Sequence, residues 1–393
     1  MNSIDTLNQS PYAFYYLNID QYLDIDFTPL NNLVPIYAFN NPQVNNLKNK
    51  NRDYFCLEEN GQKIEIKNSA YLLKQDLVIN FIKSHSQSKK LKPIIIPFKA
   101  SAKIEKICQE NDWIYAAVPS SLNRQLEDKI NFNKICKENN LPVIPGAIDK
   151  LNQENFEKYQ KQLTSKLIIQ GRFSWAGKKT FIAEKWSEIK DKIEERTTVK
   201  YSSYLPAYSL TNNCVITKKG LIQSPPALQY NNILSLSSNP FSTVGRQWPA
   251  FIPDNVKEEI KKITESFSKL ITSLNYKGFF GLDFLVNENQ IFLIECNPRL
   301  TASTDIYTQA EFKNNINPLF LHHLLTFLDL DFDINLEEEN KRFYNDQIIA
   351  SEITKKDSQG NTIKRYRDFI PFTKTYYPIE INPQIIEKIN EQK

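Results

Sequence analysis

The chain has 393 residues, 41% hydrophobic and 24% charged, with a formal net charge of +4. That length exceeds one ordinary hydrophobic core and predicts two or three domains or subdomains. The small charge excess gives no basis for nucleic-acid binding, which uses strongly basic surfaces, and no apolar run approaches the ~20 residues that span a bilayer.

Five cysteines (Cys56, Cys108, Cys136, Cys214, Cys296) are odd in number and scattered, without Cys-x-x-Cys spacing. That pattern argues against a disulfide framework and a zinc ribbon. Met1 to Phe14 lacks the basic segment and apolar core of a secretory signal, so a soluble, cytoplasmic protein is expected. The three histidines are His85, read in a polar loop, and His322 and His323, read in an amphipathic helix. They offer little for a Ser-His or Cys-His nucleophile. Basic clusters such as 89–92 and Lys355-Lys356 read as solvated loops.

In chain order, the first ~125 residues alternate short apolar strands with helical patterns, a βα signature. Strands are predicted at 92–98 and 113–118, with Ser101 capping the helix between them. A helix over 126–139 leads to a strand over 141–145. A strand over 166–170, a loop over 171–180 and a returning strand over 180–183 follow. The segment 199–210 reads as another strand. Strands beginning at Cys214 and Leu221 flank a Lys219-Gly220 turn. A polar segment, 237–249, contains Arg246. Residues 254–275 form an amphipathic helix, apolar at Val256, Ile260, Ile263, Phe267, Leu270, Ile271 and Leu274. Beyond the hairpin described next, a helix is predicted over 314–328 and a small β-rich addition over 345–381, with a hairpin around 357–361.

The most informative stretch is 281–299, two apolar strands joined by a polar turn. Period-2 alternation puts Gly281, Asp283 and Leu285 on one face of the first strand, and Ile291, Leu293 and Glu295 on one face of the second. Pairing Val286 with Phe292 sets Asp283 opposite Glu295, with Cβ atoms roughly 4.5–5.5 Å apart. Two such carboxylates between apolar neighbours repel and are poorly solvated, and a divalent cation relieves both problems. Asn297 continues the alternation, and Arg299 follows on the same side. Hard oxygen donors without His or Cys point to Mg²⁺, which takes its remaining positions from water and phosphates.

The hairpin at 283–286 followed by Glu-x-Asn-x-Arg at 295–299 resembles the metal-binding segment of the ATP-grasp superfamily, over roughly Lys92 to Thr304. The resemblance implies an α/β fold of ATP-grasp type. An N-terminal α/β pre-ATP-grasp domain would occupy 1–125. A two-subdomain core over 126–310, with a lid at about 145–206, would clamp nucleotide between antiparallel sheets. A C-terminal helix and β-rich extension would cover 311–393. The implied cofactors are ATP and Mg²⁺, with Mn²⁺ as a substitute.

By the same resemblance, Asp283, Glu295 and Asn297 hold metal and Arg299 clamps the transferring phosphate, with Arg246 near it. Lys129 reaches nucleotide phosphate, and Ser203 and Leu205 present backbone to adenine beside Tyr204. Ser202 stands where the family has a hinge acid. Gln170 stands where the family has a phosphate-binding lysine, and the loop after it is poor in glycine. Arg172, Lys178 or Lys179 would then supply charge there, with Ser174 and backbone N–H groups cradling the anion. Thr301 and Ser303 read equally as substrate contacts or loop caps. The implied activity is a carboxylate–amine ligase working through an acyl phosphate. Its partners would be a small carboxylic acid and an amine or amino acid, with neither nucleic acid nor membrane, and a homodimer as the candidate assembly. Two other readings are a nucleotide-binding relative without turnover and a bicarbonate-activating enzyme.

Overall fold

A computed structural model describes residues 3–391 apart from 26, 62–64, 174–176, 329 and 331. Among the described residues the strands form three sheets. The N-terminal sheet is parallel, in the order Phe55–Cys56, Leu33–Tyr37, Tyr12–Asn18, Lys92–Pro97, Ile114–Tyr115. Its central strand, Tyr12–Asn18, is buried at every position, as a parallel strand covered on both faces requires. His85 lies on the helix Asp76–Lys89 rather than in a loop.

The lid sheet is antiparallel, in the order Gly146–Lys150, Thr198–Ser203, Leu167–Gly171, Thr180–Ala183. Leu167, Ile169, Val199 and Tyr201 pack against Phe156 and Tyr159 of the helix Gln153–Gln162. Alternation therefore turns Ile168, Gln170, Lys200 and Ser202 to the other face.

The central sheet runs Gln290–Asn297, Gly278–Asn287, Tyr208–Ile216, Ala227–Tyr230, Gly245–Trp248, Ala350–Lys356, Thr362–Asp368, with Leu221–Gln223 paired to Tyr208–Ile216. One face is covered by the helix Asp254–Ser273, whose Val256, Ile260, Ile263, Phe267 and Ile271 join Phe280, Leu282, Phe284 and Leu293 in one core.

Several expected elements are corrected. The helix expected over 126–139 is two, Ser120–Glu127 and Lys129–Glu138. Asp128 ends the first and caps the second, accepting from the N–H groups of Ile130 and Asn131, as an N-cap carboxylate does. The strand expected over 141–145 is only a bridge between Val143 and Leu293, because Pro142 and Pro145 remove ladder donors. The strand over 199–210 breaks after Ser203 and resumes at Tyr208. The helix over 314–328 starts at Leu319, after Pro318, and a second helix, Thr304–Lys313, precedes it. The C-terminal hairpin forms as expected and extends the central sheet through Gly245–Trp248. All five cysteines are buried and free. No helix among the described residues is long and apolar enough to cross a membrane.

Candidate functional site

The three sheets enclose a cavity of about 1900 Å³. The hairpin 278–297 supplies one end of it. Asp283 does face Glu295, but the register that achieves this differs from the expected one. Near the turn Val286 pairs with Ile291 and Leu285 with Phe292, and a bulge between Asp283 and Phe284 then shifts the ladder. The extra residue is Ile294. It reverses the alternation, as bulges do. Ile291 and Leu293 go into the core, while Ile294, Glu295 and Asn297 line the cavity. Strict alternation would have buried Glu295 beside Leu293, so the expected shared face is corrected.

The two carboxylates are tied by cationic and amide donors. Asn297 Nδ2 donates to Asp283 Oδ2 at 3.1 Å and to Glu295 Oε1 at 3.3 Å. Gln229 Nε2 donates to Asp283 Oδ1 at 2.8 Å, and Lys129 ion-pairs with Glu295. Lys129 is buried at the start of its helix, and burial pulls its ammonium down to about 8 against the attraction of Asp283 and Glu127. Among the described residues no three His, Cys, Asp or Glu side chains cluster as a metal site. The pair Asp283 and Glu295 fits a hard cation that takes its other oxygens from water and a phosphorylated substrate; Asn297 would join them by turning its oxygen, here held by Arg299, toward the pair.

Arg299 is held by what surrounds it. Nε donates to Glu127 Oε1 at 3.1 Å, one terminal nitrogen to Asn297 Oδ1 at 2.8 Å and the other to the Leu300 carbonyl at 3.0 Å. Its guanidinium lies 5.0 Å over the Phe98 ring. Glu127 also ion-pairs with Lys99. Thr301 reaches the cavity, whereas Ser303 is fully buried and accepts from Asn213.

The lid supplies the opposite wall. Gln170 lines the cavity and donates to Thr180 Oγ1 at 3.3 Å. Arg172 turns away to Asp128, 2.6 Å distant, so it does not furnish charge beside Gln170. Lys178 lines the cavity. The Lys179 stem packs over Gly171, and Ser174 lies outside the described residues. Directly across the ladder from Gln170 stands Lys200, only 4% exposed. Burial, then the like charges of Lys129 and Lys137, bring it down to about 8. Sequence reasoning passed over Lys200; the strand register that opposes it to Gln170 was the available signal. Ser203, Tyr204 and Leu205 border the cavity. The Ser203 amide is bonded to the Pro145 carbonyl at 3.4 Å and the Tyr204 amide to that of Lys166 at 3.1 Å.

Arg246 lines the cavity but ion-pairs with Glu352 at 3.2 Å, three strands from Asp283. Paired residues lead across the sheet from the acidic end: Glu295 to Asp283 to Thr211, and two residues along, Ser209 to Gln229 to Arg246 to Glu352 to Arg367.

A family model for the ATP-grasp domain matches residues 126–303. The arginine-specific carbamoyl phosphate synthase large chain of Halalkalibacterium halodurans is 21% identical over 196 residues, 47% of this chain and 18% of that protein. Pyruvate carboxylase of Bacillus subtilis is 22% identical over 281 residues, 68% of this chain and 23% of that protein. The chain thus spans less than a quarter of the length of either relative. Among solved structures, biotin carboxylase from Campylobacter jejuni, in a nucleotide complex, superposes with a TM-score of 0.62 at 14% identity, covering 88% of this chain and 76% of that one. N5-carboxyaminoimidazole synthetase from Staphylococcus aureus, complexed with ADP, gives 0.59 at 13% identity, covering 89% and 84%. The domain match and the shared architecture agree with the bulged hairpin and its four polar residues: residues 126–303 of the chain match an ATP-grasp domain, set in a fold shared with these enzymes.

Proposed function

We propose that the chain is an ATP-dependent ligase that activates a carboxylate as an acyl phosphate and couples it to an amine. The observation that carries this reading is the convergence of Asp283, Glu295, Asn297, Arg299 and Lys129 at one end of a large cavity walled by the lid sheet. Phosphoryl transfer depends on positioning and charge neutralisation more than on covalent help from the protein. Mg²⁺ bound by Asp283, Glu295 and Asn297 would supply charge neutralisation of the phosphates.

The chain's own residues do the rest. Lys129 and Lys200 offer two buried ammonium groups to phosphate oxygens, and Lys200 replaces the charge absent at Gln170. With the Ser203 and Tyr204 amides already bonded, Leu205 N–H is the hinge donor left for an adenine edge. Arg299, braced by Glu127 and Asn297, presents its remaining N–H groups to the transferring phosphoryl group. A carboxylate oxygen then attacks the γ-phosphorus, the bond to the β-bridging oxygen breaks and ADP leaves. The amine nitrogen next attacks the acyl carbon, loses a proton and displaces phosphate.

Hydroxylamine is a general amine for the second step and yields a hydroxamate. The protein with Mg-ATP, hydroxylamine and a panel of acids is expected to form a hydroxamate and ADP in equal amounts. Glu295→Gln should lower the rate by about 10²-fold or more, the scale of losing one charge-stabilising group. Nucleotide binding without any turnover would favour the non-catalytic reading. The carboxylase names among the relatives support a second reading, in which bicarbonate is the acid; ADP release that depends on bicarbonate alone would select it.

A further inference from the structure

The C-terminal hairpin brings two cations, Lys356 and Arg365, to the cavity beside Arg246 of the strand Gly245–Trp248, far from the metal end. Lys356 was expected in a solvated loop. It ends a strand and lines the cavity instead, with its ammonium on Ser242 Oγ at 2.7 Å. Burial, then Arg246 and Lys178, push that ammonium down to about 8. Arg365, also lining the cavity, donates to the Tyr22 carbonyl at 2.7 Å and lies 5.6 Å from the Tyr22 ring. Among the described residues neither Lys356 nor Arg365 has an ion-pair partner. Glu352 is shared between Arg246 and Arg367, at 3.2 and 3.1 Å, and Asp305 is taken by Arg367. Glu352, Asp305 and Asp24 act on Arg365 from further off, and Asp20 also lines the cavity, but no acid among the described residues reaches ion-pair distance of Arg365 or Lys356, so both cations face the cavity without a direct counter-charge.

Buried surplus charge of one sign costs stability unless a ligand of the other sign compensates it. On the ligase reading, the nucleotide phosphates are met by Lys129 and Arg299 at the other end. A protonated amine would be repelled here. The acid remains. We propose that the acid substrate carries a second anionic group, a carboxylate or a phosphate, bound by Arg365, Lys356 and Arg246. Arg246 lies three strands from Asp283, about 14 Å in the inter-strand direction, so the second group stands several bonds from the reacting carboxylate. Ser209, Thr211 and Gln229 form the neutral polar floor between the two ends. This inference rests on the ligase reading above.

The test is calorimetric, on the full chain. Mg-ADP is titrated first, then suberate against hexanoate, and 6-phosphogluconate against gluconate. At least one dianion should bind the Mg-ADP-loaded protein about tenfold or more tightly than its monoanionic partner, the scale of a charge-assisted hydrogen bond. Which pair shows the gap distinguishes carboxylate from phosphate. Arg365→Met and Lys356→Met should each erase most of the gap, with Mg-ADP affinity unchanged within about twofold, and Arg365→Lys should restore part of it. Equal binding of monoanions and dianions overturns the proposal. So does a loss of Mg-ADP affinity in the variants, which would assign this wall to the nucleotide. Failure of Mg-ADP to bind the unmodified protein removes the ligase reading itself, before any acid is added.

Discussion

Lys200 stands across one ladder rung from Gln170, with positive charge as its nearest electrostatic company. A lysine held at about 8 when folded and near 10.5 when unfolded lowers stability in full below pH 8. That penalty fades as pH rises toward 10.5, because over this window the unfolded chain binds the extra proton. Lys200→Met should therefore raise the urea midpoint of the ligand-free protein at pH 7, and its advantage should shrink as pH rises from 8 to 10. The groups facing Lys200 are Lys129, Lys137 and Cys136 on the helix and Gln170 and Ile148 on the flanking strands. Lys129, itself held at about 8, repels Lys200, so the difference between the two proteins combines the Lys200 titration with the relief of Lys129. The same variant should weaken Mg-ADP binding by about tenfold. A variant that is less stable at pH 7, or that binds nucleotide unchanged, would show that Lys200 has another role.

The elements divide into those with local causes and those without. The pairing of Asp283 with Glu295 was readable because both strands carry strong apolar patterns and a polar turn. The bulge at Ile294 was not readable, since one extra residue leaves composition and spacing intact while exchanging the faces of everything after it. Asp128 could have marked the helix break at 128, being an N-cap residue type. The docking of the C-terminal hairpin onto Gly245–Trp248 had no local signature; sheet partners far apart in sequence follow from tertiary fit. Gly245 is one point where that fit leaves no room. A Cβ there would lie 2.2 Å from the Glu352 carbonyl oxygen and 2.7 Å from the Tyr230 ring. Gly245→Ala should destabilise the protein by about 1–3 kcal/mol through this overpacking, measured by chemical denaturation. No loss would mean that the two strands separate freely and that the hairpin is not fixed in the sheet.

At the scale of the whole molecule, the fold class was legible and the closure of the cavity was not. The alternating βα pattern of the first ~125 residues and the carboxylate hairpin pointed to the right architecture. Glu127, Gln229, Lys356 and Arg365, which line the cavity, come from four separate elements or their ends, and no single motif unites them. Because the C-terminal strands finish the central sheet, a chain ending at residue 346 should lose cooperative unfolding and near-ultraviolet circular dichroism. A truncated protein with a sharp transition would show the hairpin to be dispensable. The central claim, a nucleotide–metal site built on Asp283, Glu295, Asn297 and Lys129, is tested most directly by titrating ADP calorimetrically with Mg²⁺ and again in excess EDTA. The account predicts one site, weakened at least about tenfold by EDTA and by Asp283→Asn with Glu295→Gln. Binding that is indifferent to both the metal and the two carboxylates would contradict it.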